Sequence, residues 1–339
     1  MKGSRRFGAG DPWPVAITIP ARNEADRIAD CLDAAAESLR RRGGIVVGVN
    51  GCSDRTLERT LAWFAARGAS GLVLHCPDAA GGGVGAVRRD LVAACAPYLA
   101  PRGVVMTTDA DSRIFPDWVE ANLDELNRAD LICGTVLPDP AEFVRLPPVI
   151  ARRGALEGEY MALTIALKSA IDPVPHDPDP PHLSEPGASL AFRMPLYNDV
   201  GGFPALPSGE DRAFAGCADL RGWRVRHSAR PRVQTSCRLD GRAPGGMAEA
   251  LRSRIHAPDP VLDWLLEPAE ATVARARLRS ELRELSARPD IPPEALSAAR
   301  LHLAGMPRMR MRLSDIPREL PRLAAALASE RARRERASA

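Results

Sequence analysis

Short apolar runs alternate with helical patterns from residue 15 to about 136. The runs are Val15 to Ile19, Ile45 to Val49, Leu72 to Cys76, Val104 to Thr108 and Leu131 to Thr135. Runs this continuous, rather than alternating with polar residues, belong to strands buried on both faces. Between them, Ile28, Leu32, Ala35 and Leu39 recur at helical spacing after Asn23, Leu57, Leu61 and Phe64 after Ser53-Asp54, and Val119, Leu123 and Leu126 after Pro116. Strand and helix in alternation predict an α/β fold, a doubly wound, mostly parallel, Rossmann-like sheet with helices on both faces.

The pattern changes after Pro138. A helix carrying Leu156, Tyr160, Leu163 and Leu167 on one face leads into the proline-rich segment Asp172 to Pro186, which is expected to hold no regular structure. An ordered stretch from Gly187 to about Ile255 follows. Beyond Val261 the chain reads as arginine-rich amphipathic helices broken at Pro289, Pro292-Pro293, Pro307 and Pro317, with Glu330 to Ala339 as a frayed charged tail. The expected organisation is a tail over 1–13, a main domain over 14–257 with halves 14–136 and 137–257, and a helical C-terminal appendage over 258–339.

Composition narrows the setting. Hydrophobic residues make up 45% of 339 positions, enough for a full core. The seven cysteines are scattered, odd in number and lack a Cys-x-x-Cys pair, which argues against a disulfide framework or zinc cage and suits a reducing cytoplasm. No apolar run approaches the roughly 18 residues of a membrane span, and the basic N-terminus has no hydrophobic segment behind it. The formal charge of +3 comes from arginines dispersed among acids, with Lys2 and Lys168 the two lysines, which is no nucleic-acid footprint.

The strongest chemical signal is Asp109-Ala110-Asp111, directly behind the run Gly103 to Thr108. Two hard carboxylates at the C-terminal end of a buried strand stand where open α/β sheets bind ligands, and suit a Mg2+ or Mn2+ ion that also holds substrate phosphates. A helix cap plus a solvated acid is the plainer alternative. Two further loops, Ile19-Pro20-Ala21-Arg22-Asn23-Glu24 and Val49-Asn50-Gly51-Cys52-Ser53-Asp54, end strands on the same edge.

Those two loops, then Asp-x-Asp, then Gly201-Gly202-Phe203 and Glu210-Asp211, in that order, resemble the family 2 glycosyltransferases of GT-A fold over roughly residues 14 to 255. The resemblance implies a nucleoside diphosphate sugar donor and a hydroxyl acceptor. Pro20, Ala21, Arg22 and Glu24 would wrap the nucleoside, with Glu24 toward the ribose. Asn50 and Asp54 would lie at the base, a role compatible with a Ser53 or Asp54 helix cap. Arg88 would meet ribose or diphosphate. Asp109, Ala110 and Asp111 would hold cation and donor, with Asp111 and Asp109 as the metal ligands.

Gly187 and Ala188 match the segment flooring the sugar pocket, though a strand glycine kept for packing fits equally. Asp211 matches the base that takes the acceptor's proton, with Glu210 next in line; an acidic first helical turn is the alternative. Arg242, within Arg238-x-x-Gly241-Arg242-x-x-Gly245-Gly246, fits a phosphate cradle before a helix or a surface turn. His176 and His182 carry no assignment.

The glycines Gly81-Gly82-Gly83-Val84-Gly85 formally satisfy a dinucleotide fingerprint, but Pro77 to Ala80 separate them from the strand and no acidic residue follows at the right distance. A loop near the diphosphate or a plain linker fits better. Gln234-Thr235-Ser236-Cys237-Arg238 does not match the Gln-x-x-Arg-Trp motif of processive members. The expected enzyme is thus a metal-dependent, inverting, non-processive glycosyltransferase. The alternatives are a sugar-phosphate nucleotidyltransferase, which would open with a glycine-rich loop and lysine, and a non-catalytic sugar-nucleotide-binding module. Donor sugar, base, acceptor and oligomeric state are not legible.

Overall fold

The computed structural model describes residues 3–8, 12–76, 83–241 and 245–338. The chain divides into two compact units, residues 1–145 with 184–219 and 223–249, and residues 146–183 with 220–222 and 250–339.

The first unit is built on one nine-stranded sheet. Its strands are β1 (Gly3–Phe7), β2 (Trp13–Ala21), β3 (Gly43–Asn50), β4 (Gly71–Cys76), β5 (Leu99–Thr107), β6 (Ser112–Ile114), β7 (Leu131–Pro138), β8 (Leu190–Arg193) and β9 (Val225–Thr235). The order across the sheet is β1-β4-β3-β2-β5-β8-β7-β9-β6. β4, β3, β2 and β5 run parallel, so their C-terminal ends share one edge. β8 runs antiparallel between β5 and β7, and β9 is parallel to β7. All five strands expected from apolar runs are present.

Successive side chains of the central strands enter different cores, as the pleat requires. Ile17 and Ile19 of β2, with Ile45 and Val47 of β3, pack with Ile28, Leu32, Ala35 and Leu39 of the helix Ile28–Leu39 and with Phe64 and Trp118. Ala16 and Val46 face the other way, into Leu91 and Val92 of the helix Gly83–Cys95 and an aromatic group of Phe192, Tyr197, Phe203 and Phe214. Each fully buried aliphatic side chain contributes about 1.5–3 kcal/mol. The stability of this unit therefore rests on layers that fix the sheet edge carrying the loops.

Two features of this unit depart from the expectation. Residues 3–7, expected within a tail, form an edge strand antiparallel to β4; Gly-Ser-Arg-Arg-Phe has no apolar pattern because Gly3 to Arg6 are exposed. The long strand β9 was also not anticipated. It contains Pro231, tolerated because the β7–β9 register shifts between Gly134 and Thr135, opposite the proline.

The second unit has its own helical core. Tyr160, Leu167 and Ile171 of the helix Val149–Ile171 pack with Leu266, Ala269 and Ala276 and with Ile316, Leu323 and Leu327 of the helix Ile316–Ser338. The helix Val149–Ile171, expected in the main domain, thus clusters with the C-terminal helices. Its buried face is Tyr160, Thr164 and Leu167, while Leu156 is 43% exposed. Residues 172–186 hold no helix or strand, as expected. Pro317 does not break a helix: it occupies the first turn of Ile316–Ser338, where its missing N–H costs nothing. The helix continues through the charged tail to Ser338, and Glu330 within it is buried and pairs with Arg277 and Arg333. Among the described residues, no helix is long and apolar enough to cross a membrane.

Candidate active site

The edge formed by β2, β3 and β5 carries three of the expected loops, and hydrogen bonds tie the first two together. Asn23, in the left-handed region at φ 53° that asparagine tolerates, accepts from Ser53 N–H at 2.8 Å, and its own N–H donates to Cys52 Sγ at 3.2 Å. Asp54 accepts from Ala25 N–H at 3.0 Å and from Thr56 N–H and Oγ1 at 3.0 and 2.5 Å. Thr56 Oγ1 in turn accepts from Glu24 N–H at 2.8 Å. Burial opposes ionisation of Asp54, but these hydrogen bonds, led by Thr56, outweigh it and hold the carboxyl below the usual range. Asp54 therefore serves as a loop clamp and as the start of the helix Thr56–Arg67.

Asp109 and Asp111 follow β5, and each meets a guanidinium. Arg88 Nη2 donates to Asp109 Oδ1 at 2.6 Å, and Arg238 Nη2 lies 2.9 Å from Asp111 Oδ2. Arg238 also grips Glu24 with both terminal nitrogens, Nη1 to Oε2 at 2.7 Å and Nη2 to Oε1. Burial and the charge of Asp109 push Asp111 up to about 6, against the pull of Arg238. A carboxylate pressed toward protonation by burial and a like-charged neighbour is short of positive charge, and a divalent cation supplies it. Among the described residues, no group of three or more His, Cys, Asp or Glu side chains is placed to hold a metal. Two aspartates fit an ion that takes its remaining oxygens from phosphates and water.

Arg88 joins this pair to the acidic pair on the helix Glu210–Leu220. Its Nε donates to Glu210 Oε1 at 2.9 Å, with both side chains buried, and its Nη1 is buried without a hydrogen-bond partner. Thr108 Oγ1, beside Asp109, is buried and unpartnered too. An orphaned guanidinium nitrogen of this kind fits a polar ligand. Burial pushes Glu210 above the usual carboxylate range despite Arg88, with the charge of Asp211 adding to the effect. Asp211 is half-buried; its Oδ2 accepts from Gly187 N–H at 2.7 Å and its Oδ1 from Arg212 N–H at 2.8 Å. Gly187 is required by close approach, since a Cβ there would stand 2.5 Å from Arg88 Nη2.

Residues 16–174 match the profile of glycosyl transferase family 2. Over that stretch the chain is similar to family 2 glycosyltransferases. The fold is of GT-A type, and two solved structures are similar to it. A mannosyltransferase of Pyrobaculum calidifontis, in complex with GDP-Man and Mn2+, superposes with a TM-score of 0.50 at 18% identity, over 97% of this chain and 79% of the other. S. aureus TarS 1-349 in complex with UDP-GlcNAc gives a TM-score of 0.50 at 14% identity, over 94% and 87%. No curated protein matches the sequence significantly.

Hydrogen bonds and ion pairs form three groups here: Asp54, Glu24 and Asp111 through Thr56 and Arg238, Asp109 and Glu210 through Arg88, and Gly187 with Asp211; the chain itself joins them at Asp109-Ala110-Asp111 and Glu210-Asp211. Arg22 is exposed at the rim and Pro20 half-buried, whereas Ala21, Asn50, Ala110 and Ala188 are buried. Arg242, the glycines Gly81 and Gly82, and Pro77 to Ala80 lie outside the described residues.

Two partners escaped the sequence reading. Arg238, seen there only as part of a cradle, is the cation on Glu24 and Asp111. Glu142, capped into the helix Pro140–Phe143 by Asp139, accepts from Arg27 Nη1, Ser236 Oγ and Cys237 N–H and so fixes the segment carrying Arg238. Neither has a local signal, because their partners lie far away in the chain.

Proposed function

We propose that this glycosyltransferase moves one sugar at a time from a nucleoside diphosphate sugar to a hydroxyl acceptor, with a divalent cation at Asp109 and Asp111 and inversion at the anomeric carbon. The observation that supports the reading is the Arg88 bridge between Asp109 and Glu210, which are chain neighbours of Asp111 and Asp211. Arg88 spans the aspartate pair after β5 and the acidic pair Glu210-Asp211, so a donor gripped at one end presents its sugar toward the other. A bound Mg2+ or Mn2+ would neutralise the departing diphosphate.

The chain's own residues supply the rest. The loops at Pro20 to Glu24 and Asn50 to Asp54, tied through Asn23 and Asp54, form a preset cleft edge for the nucleoside. Arg88 Nη1, buried and unpartnered, offers a donor to a phosphate or sugar oxygen. Glu210 is buried against Arg88 and fixes that guanidinium. Asp211 is the more accessible acid; its carboxylate is aimed by Gly187 N–H and keeps lone pairs for the acceptor hydroxyl's proton. A base facing the anomeric carbon from the side opposite the diphosphate gives in-line displacement and hence inversion.

Calorimetry with UDP, GDP and other nucleoside diphosphates, each with and without Mn2+, tests the donor half. Binding of at least one of them that requires the cation is the expected result. If none binds under any condition, the reading falls. NMR of the glycoside formed from a turned-over donor reports the anomeric outcome.

A further inference from the structure

The aspartate pair is not a bare acidic pocket. Arg238 sits on Asp111 and holds the buried Glu24 at the same time, so two carboxylates share one guanidinium. Its placement is built in. Arg238 N–H donates to Ser236 Oγ at 3.1 Å, Ser236 Oγ donates to Glu142 Oε2 at 2.9 Å, and Cys237 N–H donates to the same oxygen at 2.7 Å. Glu142 is held in turn by Arg27 at 2.7 Å. The segment behind β9 is thus clamped so that one cationic side chain faces the candidate metal ligand.

We propose that Arg238 is the resident cation of this site and keeps a divalent ion from binding until a nucleoside diphosphate brings it in. The inference rests on the metal reading of Asp109 and Asp111 and adds the order of binding. A fixed positive charge beside Asp111 Oδ2 repels an incoming cation and occupies one of the oxygens it would use. Among the described residues no three acidic, His or Cys side chains are placed to hold a metal by themselves, so an ion at Asp109 and Asp111 needs further oxygens from outside the protein. A diphosphate reverses the balance, because its oxygens both ligate the ion and attract Arg238. Metal and donor then enter as a pair, and the free enzyme does not fill with metal that lacks substrate.

Mn2+ alone, titrated calorimetrically and by the loss of its free-ion electron paramagnetic resonance signal, is the probe. Wild type is compared with Arg238→Gln, first without nucleotide and then with UDP or GDP. Arg238→Gln is expected to bind Mn2+ alone about tenfold or more tightly than wild type, and to lose much of the gain that the nucleotide gives wild type. Mn2+ affinity without nucleotide that is unchanged or weaker in Arg238→Gln overturns the proposal and leaves Arg238 as a holder of Asp111. Thermal melts check folding. If the single variant unfolds, Glu24→Gln with Arg238→Gln removes both members of that pair, so that Glu24 is not left buried without its cation, with the same expectation. Failure of wild type to bind any nucleotide with Mn2+ would count instead against the donor reading.

Discussion

Asp111→Asn separates what this carboxylate does for function from what it costs the fold. Burial and the neighbouring Asp109 move its pKa from 3.8 to about 6 in the folded protein, although Arg238 opposes the shift. The unfolded chain releases this proton near 3.8 and the folded one near 6, so between those values the folded state holds more protons. Stability therefore falls as pH rises through that window, and the full cost is present above about 6. Two pH units correspond to roughly 3 kcal/mol as a ceiling, and the side chain's 19% exposure lowers the expected value to about 1–2 kcal/mol. Asparagine keeps the shape without the charge, and Arg238 is not orphaned because Glu24 still holds it. In EDTA at pH 8 the variant should melt higher than wild type, by about 2–4 °C per kcal/mol for a domain of 150–250 residues. The gap should shrink toward pH 5. The same variant should lose Mn2+-dependent nucleotide binding. A variant that melts at or below the wild-type temperature at pH 8, with no narrowing at lower pH, would show that the Asp111 charge is not a burden in the free enzyme.

Other substitutions read the remaining parts of the network. Asp211→Asn should lower turnover by about a hundredfold or more with little change in donor affinity, checked by steady-state kinetics beside calorimetry; a loss confined to affinity would remove it from the base role. Glu210→Gln breaks a buried ion pair and should destabilise by about 3 kcal/mol in denaturant titrations, so a wild-type melt would show that Arg88 needs only Asp109. Gly187→Ala places a methyl 2.5 Å from Arg88 Nη2 and should depress turnover and melting temperature together; unchanged values would mean that Arg88 relaxes freely. Asp54→Ala removes the acceptor for Ala25 and Thr56, which should cost about 1 kcal/mol of stability and weaken nucleoside diphosphate binding. Equal calorimetric affinities would leave Asp54 as a helix cap alone.

The strands legible in the sequence are those buried on both faces. Val15 to Ile19 and Val104 to Thr108 announce themselves because every position is apolar or small, whichever way it points. β1 is hidden because Gly3 to Arg6 are all exposed, and it is held by its antiparallel pairing with β4 and by Phe7 stacked on Phe64. β9 is hidden by its arginines and by Pro231, which a register shift accommodates. Pro317 was misleading for a related reason: a proline reads as a stop unless the next helix is known to begin there.

The site divides along the same line between local and distant information. Asp109, Asp111, Glu210 and Asp211 stand out because each lies at a strand end or a helix start, where a few adjacent residues define the position. Their electrostatic partners do not. Arg238 and Glu24 are 214 residues apart and Arg88 and Glu210 are 122 apart, and an arginine in so arginine-rich a chain carries no signal by itself. Yet those two guanidiniums decide what the acids can do. Arg88 makes Glu210 a buried counter-ion and leaves Asp211 as the accessible acid, while Arg238 holds Asp111 and Glu24 with one guanidinium. Two acids adjacent in sequence thus have different surroundings, one facing inward to an arginine and the other toward a backbone amide and solvent, and on the proposed reading this divides their roles. The motif locates the carboxylates, and the arginines that fold back onto them assign the work.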